Sequence, residues 1–156
     1  MTSTPYCDTE FCVARGDYAI STDPRRLDRS LIHRFLSEES YWARAIPYAV
    51  VDRSIANSLN FGLYHGDSQL GYARVISDRA TFAFIRDVFV VAASRGLGLG
   101  GWLTATLLEH PDLQGLRRVM LATRDAHGFY ERFGFAPLTR PDRFRSIEKS
   151  SKELYR

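Results

Sequence analysis

The sequence predicts a mixed α/β fold, in which helices flank a central and mostly antiparallel sheet. The spacing of apolar residues is helical between Leu27 and Leu59 and becomes strand-like at Asn60. Two of the later strand-like segments are joined by a turn that contains Gly66-Asp67, as expected for an antiparallel hairpin. Another runs through a glycine-dense turn, residues 92–101, straight into a helical segment. These three features place a strand–loop–helix–strand unit at the centre of a layered domain.

The first half of the chain is predicted to hold one short strand and two helices. Tyr18–Ser21 is the predicted strand. Asp23-Pro24 marks the start of the first helix, because Asp can cap free N–H groups and Pro suits the first helical position. Apolar residues at four-residue spacing carry this helix to about Glu38, and a second helix is predicted after Pro47.

The second half is predicted to contain the rest of the sheet, because alternating apolar residues recur there between turn-forming residues. A helix follows the glycine-dense turn, and Asp125 is the expected cap of a last helix that ends at Gly134. The predicted strands span residues 60–64, 69–77, 82–91, 118–123, 135–138 and 144–147.

Length and composition predict a single domain over residues 16–156, preceded by an irregular N-terminal arm over residues 1–15. The 156 residues are 45% hydrophobic and 25% charged, which is typical of a folded globular protein with a real core. No apolar run approaches the ~20 residues needed to cross a bilayer, and the N-terminus lacks the pattern of a secretory signal. A soluble cytoplasmic protein without a membrane partner is therefore expected.

Charge and cysteine content exclude further classes of function. The formal net charge of +3 is small and is spread along the chain, so nucleic acid is not an expected partner. Cys7 and Cys12 form no CxxC pair, and the histidines stand apart from one another, so no metal site is expected. Mild clusters of arginine would suit solvated surface or an anionic cofactor: Arg25, Arg26 and Arg29, and Arg140, Arg143 and Arg145.

The glycine-dense turn has the chemistry of a diphosphate site. Glycines let successive backbone N–H groups approach one anion, and the helix that begins there adds its positive end. A P-loop would need Lys and then Ser or Thr after Gly100, where Gly101-Trp102 stands instead. Gly96, Gly98 and Gly101 have the spacing of a dinucleotide-binding turn, but they follow an antiparallel meander rather than a βαβ repeat. A glycine-rich loop without a ligand stays open as an alternative.

Two motifs resemble those of the GNAT acetyltransferases. Arg95, Gly98 and Gly100 match the family's R/Q-x-x-G-x-G/A loop. Tyr130-Glu131-Arg132-Phe133-Gly134-Phe135 resembles its Y-[ED]-[KR]-x-G-F signature, and it stands in the expected place after the next strand. The order of helices and strands between about Tyr18 and Ile147 also looks like the GNAT fold. The chain is similar to a bacterial subgroup of that family.

This resemblance implies acetyl-CoA as co-substrate and direct acetyl transfer to an amine, without an acyl-enzyme. The acyl donor would lie along the end of the third strand, with its diphosphate on the backbone of the glycine-dense turn. The implied cofactor-binding residues are Phe89, Val90, Val91, Arg95, Gly96, Leu97, Gly98, Leu99, Gly100 and Gly101.

Tyr130 matches the tyrosine that donates a proton to the departing thiolate in many family members. A phenol stays protonated at neutral pH and can therefore act as the donor. Packing in the core with Phe129 and Phe133 is the structural alternative. His127 precedes Tyr130 by three residues, so both can share one helix face. His127 is a candidate for orienting the substrate or relaying a proton, or it is a surface histidine.

Asp87 is the candidate general base. Strand alternation places it on the same face as Ile85, Phe89 and Val91, an apolar setting in which a carboxyl group takes up a proton more readily. An ion pair with Arg86 or with Arg74 on the adjoining strand is the alternative.

Tyr41 and Trp42 are candidates for the acceptor site. They form an aromatic stretch between the first two helices, where this family often builds that site, and aromatic faces can hold an ammonium group. Burial in the core would explain the same two residues.

The expected function is N-acetylation of a small-molecule amine, either as a monomer or as a homodimer. Acetylation of a protein lysine or N-terminus is one alternative. A CoA-binding sensor without catalysis is another, against which the presence of Tyr130 and Asp87 argues.

Overall fold

The computed structural model describes residues 11–155, which build a six-stranded sheet in simple chain order. Neighbouring strands are antiparallel from β1 to β5, whereas β5 and β6 are parallel. The predicted mixed, mostly antiparallel sheet is thereby confirmed. The strands are β1 (Cys12–Arg15), β2 (Tyr18–Ser21), β3 (Leu59–His65), β4 (Ser68–Ser77), β5 (Phe82–Val90) and β6 (Arg118–Met120).

Five α-helices accompany the sheet within residues 11–155, and the one between β5 and β6 makes their parallel pairing possible, since parallel neighbours need a crossover connection. Among the described residues, no helix is long and apolar enough to cross a membrane. The helices are α1 (Arg29–Arg34), α2 (Tyr48–Ala56), α3 (Leu99–Leu108), α4 (His127–Glu131) and α5 (Ser151–Leu154).

The predicted first helix is divided into two parts. Asp23 caps only a 3-10 turn over Pro24–Arg26, as its side chain accepts a hydrogen bond from the N–H of Arg25. The side chain of Asp28 then accepts from the N–H of Leu31 and caps α1. A π-helical turn, Phe35–Glu39, extends α1 to the predicted end of the helix.

A β-bulge in β5 changes which of the two buried clusters, one on each face of the sheet, the side chains of this strand enter. Arg74 of β4 faces Arg86 of β5, but Tyr72 faces Phe89, so β5 holds one extra residue between these pairs. Asp87 lies in this bulge with φ +54°, a left-handed conformation that Asp tolerates better than most residues. Because of the extra residue, the side chains after the bulge point to the opposite face of the sheet.

The predicted shared face of Asp87, Ile85 and Phe89 is therefore wrong. Ile85 packs under α3, together with Phe61 and Leu103. Phe89 packs on the other face, in the core beneath α1 and α2. Simple alternation fails here because it assumes two residues per pleat, and the bulge adds a third.

Four other local predictions differ from the structure. Cys12–Arg15 is a strand paired with β2 rather than part of an irregular arm; the rest of that arm, residues 1–10 with Cys7, lies outside the described residues. Residues 135–138 and 144–147 form no strands. Asp125 does not cap α4: Ala126 occupies the N-cap position, no side chain among the described residues bonds the first N–H groups of this helix, and Asp125 pairs with Arg124.

Replacement of Leu103 by Ala tests the core beneath α3. Leu103 is completely buried, so Leu103→Ala should lower the free energy of unfolding by about 2–5 kcal/mol through lost burial and a residual cavity. Denaturant unfolding followed by circular dichroism measures this loss. Ile147, 98% exposed, provides the control, since Ile147→Ala should change stability by less than about 0.5 kcal/mol. Equal stability of the two variants would contradict the packing described here.

Candidate active site

The turn between β5 and α3 presents a row of unused backbone donors. In the described part of the chain, the N–H groups of residues 96–101 form no hydrogen bond, whereas that of Trp102 bonds the carbonyl of Gly98 (3.1 Å). Gly96 (φ +83°) and Gly98 (φ +74°) hold the left-handed conformations that shape this turn. Gly98 is the N-cap residue of α3. Successive free N–H groups at a helix N-terminus form an anion-binding site.

Arg95 is fixed beside this row of donors. Its Nε donates to the carbonyl of Val90, the last residue of β5, at 2.9 Å. A guanidinium group has five N–H donors, so the other four stay available to a ligand. The end of β5, the Arg95 guanidinium and the N-terminus of α3 thus lie next to one another.

A cleft of about 1100 Å³, the larger cleft, runs along the end of β5 and the start of α3. The structure brings eight of the ten predicted cofactor-binding residues to its wall: Phe89, Val90, Arg95, Gly96, Gly98, Leu99, Gly100 and Gly101. Val91 and Leu97 are not among its lining residues. The N–H of Val91 donates to the carbonyl of Leu70 (2.8 Å), and Leu97 is 63% exposed.

Two arginines that sequence reasoning missed also line the larger cleft. Arg15 lies at the end of β1, and Arg132 follows α4. The guanidinium of Arg15 lies 4.6 Å from the centre of the Trp102 ring, and that of Arg132 lies 5.0 Å from the centre of the Phe129 ring. Arg132 stands inside the tyrosine motif and could have been found there, whereas Arg15 belonged to the segment predicted to be irregular.

A second cavity of about 520 Å³, called the smaller cavity, opens where β5 and the chain after β6 separate. Its walls come from residues 84–88 and 121–126, because the last pair between β5 and β6 is Phe84 with Met120. Asp87 and Tyr130 both face this cavity. The larger cleft and the smaller cavity have common walls, formed by Tyr41, Trp42, Val88, Asp125 and Ala126.

Both carboxylate oxygens of Asp87 have partners. Trp42 Nε1 donates to Oδ1 at 2.8 Å, and Arg74 Nε donates to Oδ2 at 2.7 Å. The ion pair lies inside the protein, with side-chain exposures of 11% for Arg74 and 6% for Asp87. Of the two ion pairs weighed from the sequence, the structure contains the one with Arg74. The bond from Trp42 joins residues 45 positions apart, and no local pattern reveals it.

Tyr130 is held between aromatic rings at the wall of the smaller cavity. Its ring makes edge contacts with Phe129 and Phe135, with centroids 5.0 and 5.9 Å away. Burial raises the pKa of the Tyr130 phenol, and the nearby phenol of Tyr41 raises it further. The hydroxyl is therefore a proton donor throughout the neutral range. Tyr130 therefore packs against other aromatic rings and also faces the cavity, so core packing does not prevent it from contacting a ligand there.

Tyr41 and Trp42 occupy the boundary between the two spaces. The hydroxyl of Tyr41 accepts a hydrogen bond from the N–H of Arg124 (3.1 Å), whose guanidinium lies 3.8 Å from the centre of the Tyr41 ring. This contact joins the segment before α2 to the loop after β6. His127, by contrast, is exposed and lines neither the larger cleft nor the smaller cavity.

No metal centre accompanies these groups in the part of the chain that the structure describes. Within residues 11–155, no three His, Cys, Asp or Glu side chains are arranged so that they could hold a metal ion. The groups that face the two spaces are instead backbone N–H donors, arginines, carboxylates and phenols.

Comparison with known proteins places this arrangement in a family. The family described as Acetyltransferase (GNAT) family matches residues 29–135. A Gibberella zeae protein named "Putative acetyltransferase" is 35% identical over 133 residues, which cover 71% of this chain and 74% of that protein.

Solved structures show the same similarity. A Xanthomonas campestris protein described as "a putative acetyltransferase belonging to the gnat family" superposes with a TM-score of 0.84 at 48% identity, covering 86% of this chain and 94% of the other. A GNAT-family acetyltransferase from Streptococcus pneumoniae has a TM-score of 0.66 at 21% identity, over 85% of this chain and 98% of the other. The second likeness concerns the fold alone.

The raised pKa of Tyr130 should appear in the pH dependence of stability. The folded protein holds this proton more tightly than the unfolded chain, so the phenol has no effect below the ordinary tyrosine pKa of about 10 and lowers stability as the pH rises above it. Tyr130→Phe should therefore lose less stability than the unchanged protein between neutral and strongly alkaline pH. Denaturant unfolding at a series of pH values measures the difference between the two proteins. The other buried tyrosines lower the stability of both proteins equally and therefore do not affect this difference. Parallel curves would show that Tyr130 is not buried as described.

Proposed function

The chain belongs to the GNAT family of acetyltransferases, and on that basis we propose that it transfers the acetyl group of acetyl-CoA directly to the amine of a small molecule. The observation that carries this proposal is the larger cleft, where the end of β5 meets six unused backbone N–H groups at the start of α3. Acetyl-CoA is the proposed co-substrate and occupies this cleft.

The diphosphate of CoA is proposed to lie on the backbone of residues 96–101. Its negative charge complements the free N–H groups and the positive end of the α3 dipole. Arg95 adds a full positive charge and keeps four donors free of its bond to Val90. Because most of these donors are backbone groups, the turn must keep its left-handed glycines to aim them at one point.

The reacting groups are proposed to meet at the walls that the larger cleft and the smaller cavity share. The thioester enters from the cleft and the amine from the cavity. In the reaction, the amine nitrogen forms a bond to the acetyl carbon while the bond between that carbon and sulfur breaks. The amine loses one proton, and the thiolate gains one, so side chains of the smaller cavity next to these walls must accept and supply protons.

Tyr130 is the proposed donor to the departing thiolate. The phenol faces the smaller cavity and carries a proton that burial makes harder to remove. A protonated donor placed beside the sulfur stabilises the charge that develops there as the thioester breaks.

Asp87 is the proposed acceptor of the amine's proton. The bonds from Trp42 and Arg74 fix the orientation of the carboxylate and use one lone pair on each oxygen. The remaining lone pairs can accept an N–H bond from the incoming ammonium group, either directly or through one water molecule. This role places the amine opposite Tyr130, on the far side of the acetyl carbon.

Trp42 is better suited than Tyr41 to contact the acceptor. One face of the Tyr41 ring already carries the guanidinium of Arg124. The smaller cavity, at about 520 Å³, has the size of an ordinary small-molecule site. These features support a compact amine as the acceptor rather than an extended polypeptide.

The binding of CoA is tested by two glycine variants with the same backbone conformation. Gly98→Ala strains a left-handed residue (φ +74°) and turns the N–H groups away from the ligand, at a cost of about 1–2 kcal/mol in stability. We expect its affinity for acetyl-CoA, measured by titration calorimetry, to fall at least about tenfold, as expected when one hydrogen bond to a charged group is lost.

Gly115→Ala is the matched control for this experiment. Gly115 (φ +72°) has similar backbone geometry, and a Cβ there also meets no neighbouring atom, but the residue lies outside the larger cleft. It should lose similar stability while its acetyl-CoA affinity stays unchanged. NADH and ATP test the rival phosphate sites and should bind neither the variants nor the unchanged protein. Tight NADH binding, or an equal loss of acetyl-CoA affinity in both variants, would contradict the proposal.

Catalysis is tested with Tyr130→Phe. A screen of primary amines that follows free-thiol release first identifies the best acceptor. With that amine, kcat of Tyr130→Phe should fall by about 10²-fold or more, the usual contribution of a positioned proton donor, while the dissociation constant of acetyl-CoA stays unchanged. Tyr48→Phe is the control, because Tyr48 is exposed and lines neither space. An unchanged kcat would remove Tyr130 from the mechanism, and a screen without any thiol release would favour a CoA-binding sensor.

A further inference from the structure

The larger cleft is lined by three arginines and by two acids, Glu39 and Asp125, of which Asp125 already pairs with Arg124 outside the cleft. Arg95 lies at the glycine turn, but Arg15 and Arg132 line the cleft as well. Within the described residues, no acid lies at ion-pair distance from either of these two guanidinium groups. Cations left without an acid on the wall of a cleft indicate a ligand with further negative charge.

Arg15 is held in one position although it is exposed. It ends β1, where it pairs with Tyr18 across the two-residue turn Gly16-Asp17, and this hairpin fixes its backbone. Its guanidinium lies over the ring of Trp102, 4.6 Å from the ring centre. Trp102 itself is 8% exposed and packed in the core beneath α3, so it is a rigid support. A guanidinium group fixed by stacking keeps its N–H donors directed sideways, toward a ligand in the cleft.

The position of Trp102 sets the distance between Arg15 and the diphosphate site. Trp102 follows Gly98 by one helical turn, as the hydrogen bond from its N–H to the Gly98 carbonyl shows. One turn rises about 5.4 Å, so the ring that carries Arg15 belongs to a residue one turn beyond Gly98 and directly after Gly101, the last residue with a free N–H. In CoA, the ribose and its 3′-phosphate are attached to the diphosphate on the side opposite the acyl arm, at a distance of a few bonds.

Arg132 faces a different part of the cleft. Its guanidinium lies over Phe129 and Phe133, the rings that face Gly100 and Gly101, so it lies on the α4 side of the proposed diphosphate position. We propose that Arg15 binds the 3′-phosphate of CoA and thereby distinguishes CoA from 3′-dephospho-CoA. This inference rests on the proposed function, since it assigns a residue to one group of the proposed co-substrate.

Titration calorimetry with CoA and with 3′-dephospho-CoA tests the assignment at constant, moderate salt. The unchanged protein should bind CoA about tenfold more tightly than 3′-dephospho-CoA, as one exposed bond between an arginine and a phosphate would give. Arg15→Gln should lose this difference by weakening CoA binding alone. Arg15→Lys should recover part of it, because it keeps the charge without the planar fork. Arg53→Gln, which removes an exposed arginine outside the cleft, should leave both affinities unchanged.

Three results would overturn the assignment. One is an Arg15→Gln protein that keeps the difference between the two ligands. Another is an equal loss of affinity for both ligands in Arg15→Gln, which would place the guanidinium near the diphosphate. The third is an Arg132→Gln protein that loses the difference while Arg15→Gln keeps it. A protein that binds neither ligand would refute the proposed function itself, which is a separate outcome.

Discussion

The ion pair between Arg74 and Asp87 stabilises the bulge in β5, and the geometry of both spaces depends on this bulge. A left-handed conformation costs a non-glycine residue about 1–2 kcal/mol, so Asp87 needs compensating contacts to remain there. Arg74 and Trp42 supply one hydrogen bond to each carboxylate oxygen, in a setting where little water competes. Removal of either partner would leave a buried charge with an unmet bond, so the three side chains act as a unit.

The bulge also decides what each face of β5 contacts. Because the side chains change faces at Asp87, Phe89 turns toward α1 and stacks on Phe35, with ring centres 3.8 Å apart. The π-helical turn that begins at Phe35 leads into the segment that contains Trp42, which returns to Asp87. Strand β5, the π-helical turn and the segment that contains Trp42 thus each contact the other two. The wall between the larger cleft and the smaller cavity is rigid on this side.

The opposite wall is held by weaker contacts. The loop after β6 meets Tyr41 through one backbone hydrogen bond and one stacked guanidinium, both at exposed residues. Exposed contacts of this kind each contribute about 1 kcal/mol or less, so this wall can yield when ligands enter. The glycine-dense turn offers its backbone N–H groups to the larger cleft, whereas side chains from distant segments line the smaller cavity. In the proposed function, backbone donors would thus bind the diphosphate of the co-substrate and side chains would select the acceptor.

The sequence alone predicted the parts of this protein that depend on local chemistry. Glycines at residues 96, 98, 100 and 101 between a strand and a helix predicted a turn with free N–H groups, because their conformational freedom is an intrinsic property. The tyrosine motif pointed to Tyr130, and apolar periodicity indicated β3, β4, β5 and α3 within a few residues of their observed ends.

Tertiary structure decided the rest, because those features depend on residues far apart in the chain. The bulge at Asp87 reversed the predicted face of Phe89, and only the pairing of β5 with β4 could reveal it. The partners of Asp87 come from positions 13 and 45 residues away. Arg15 reached the cleft because β1 joined the edge of the sheet, although its own sequence resembled an irregular arm. The apolar periodicity of a segment indicates which of its residues are buried, but not which other segments pack against it.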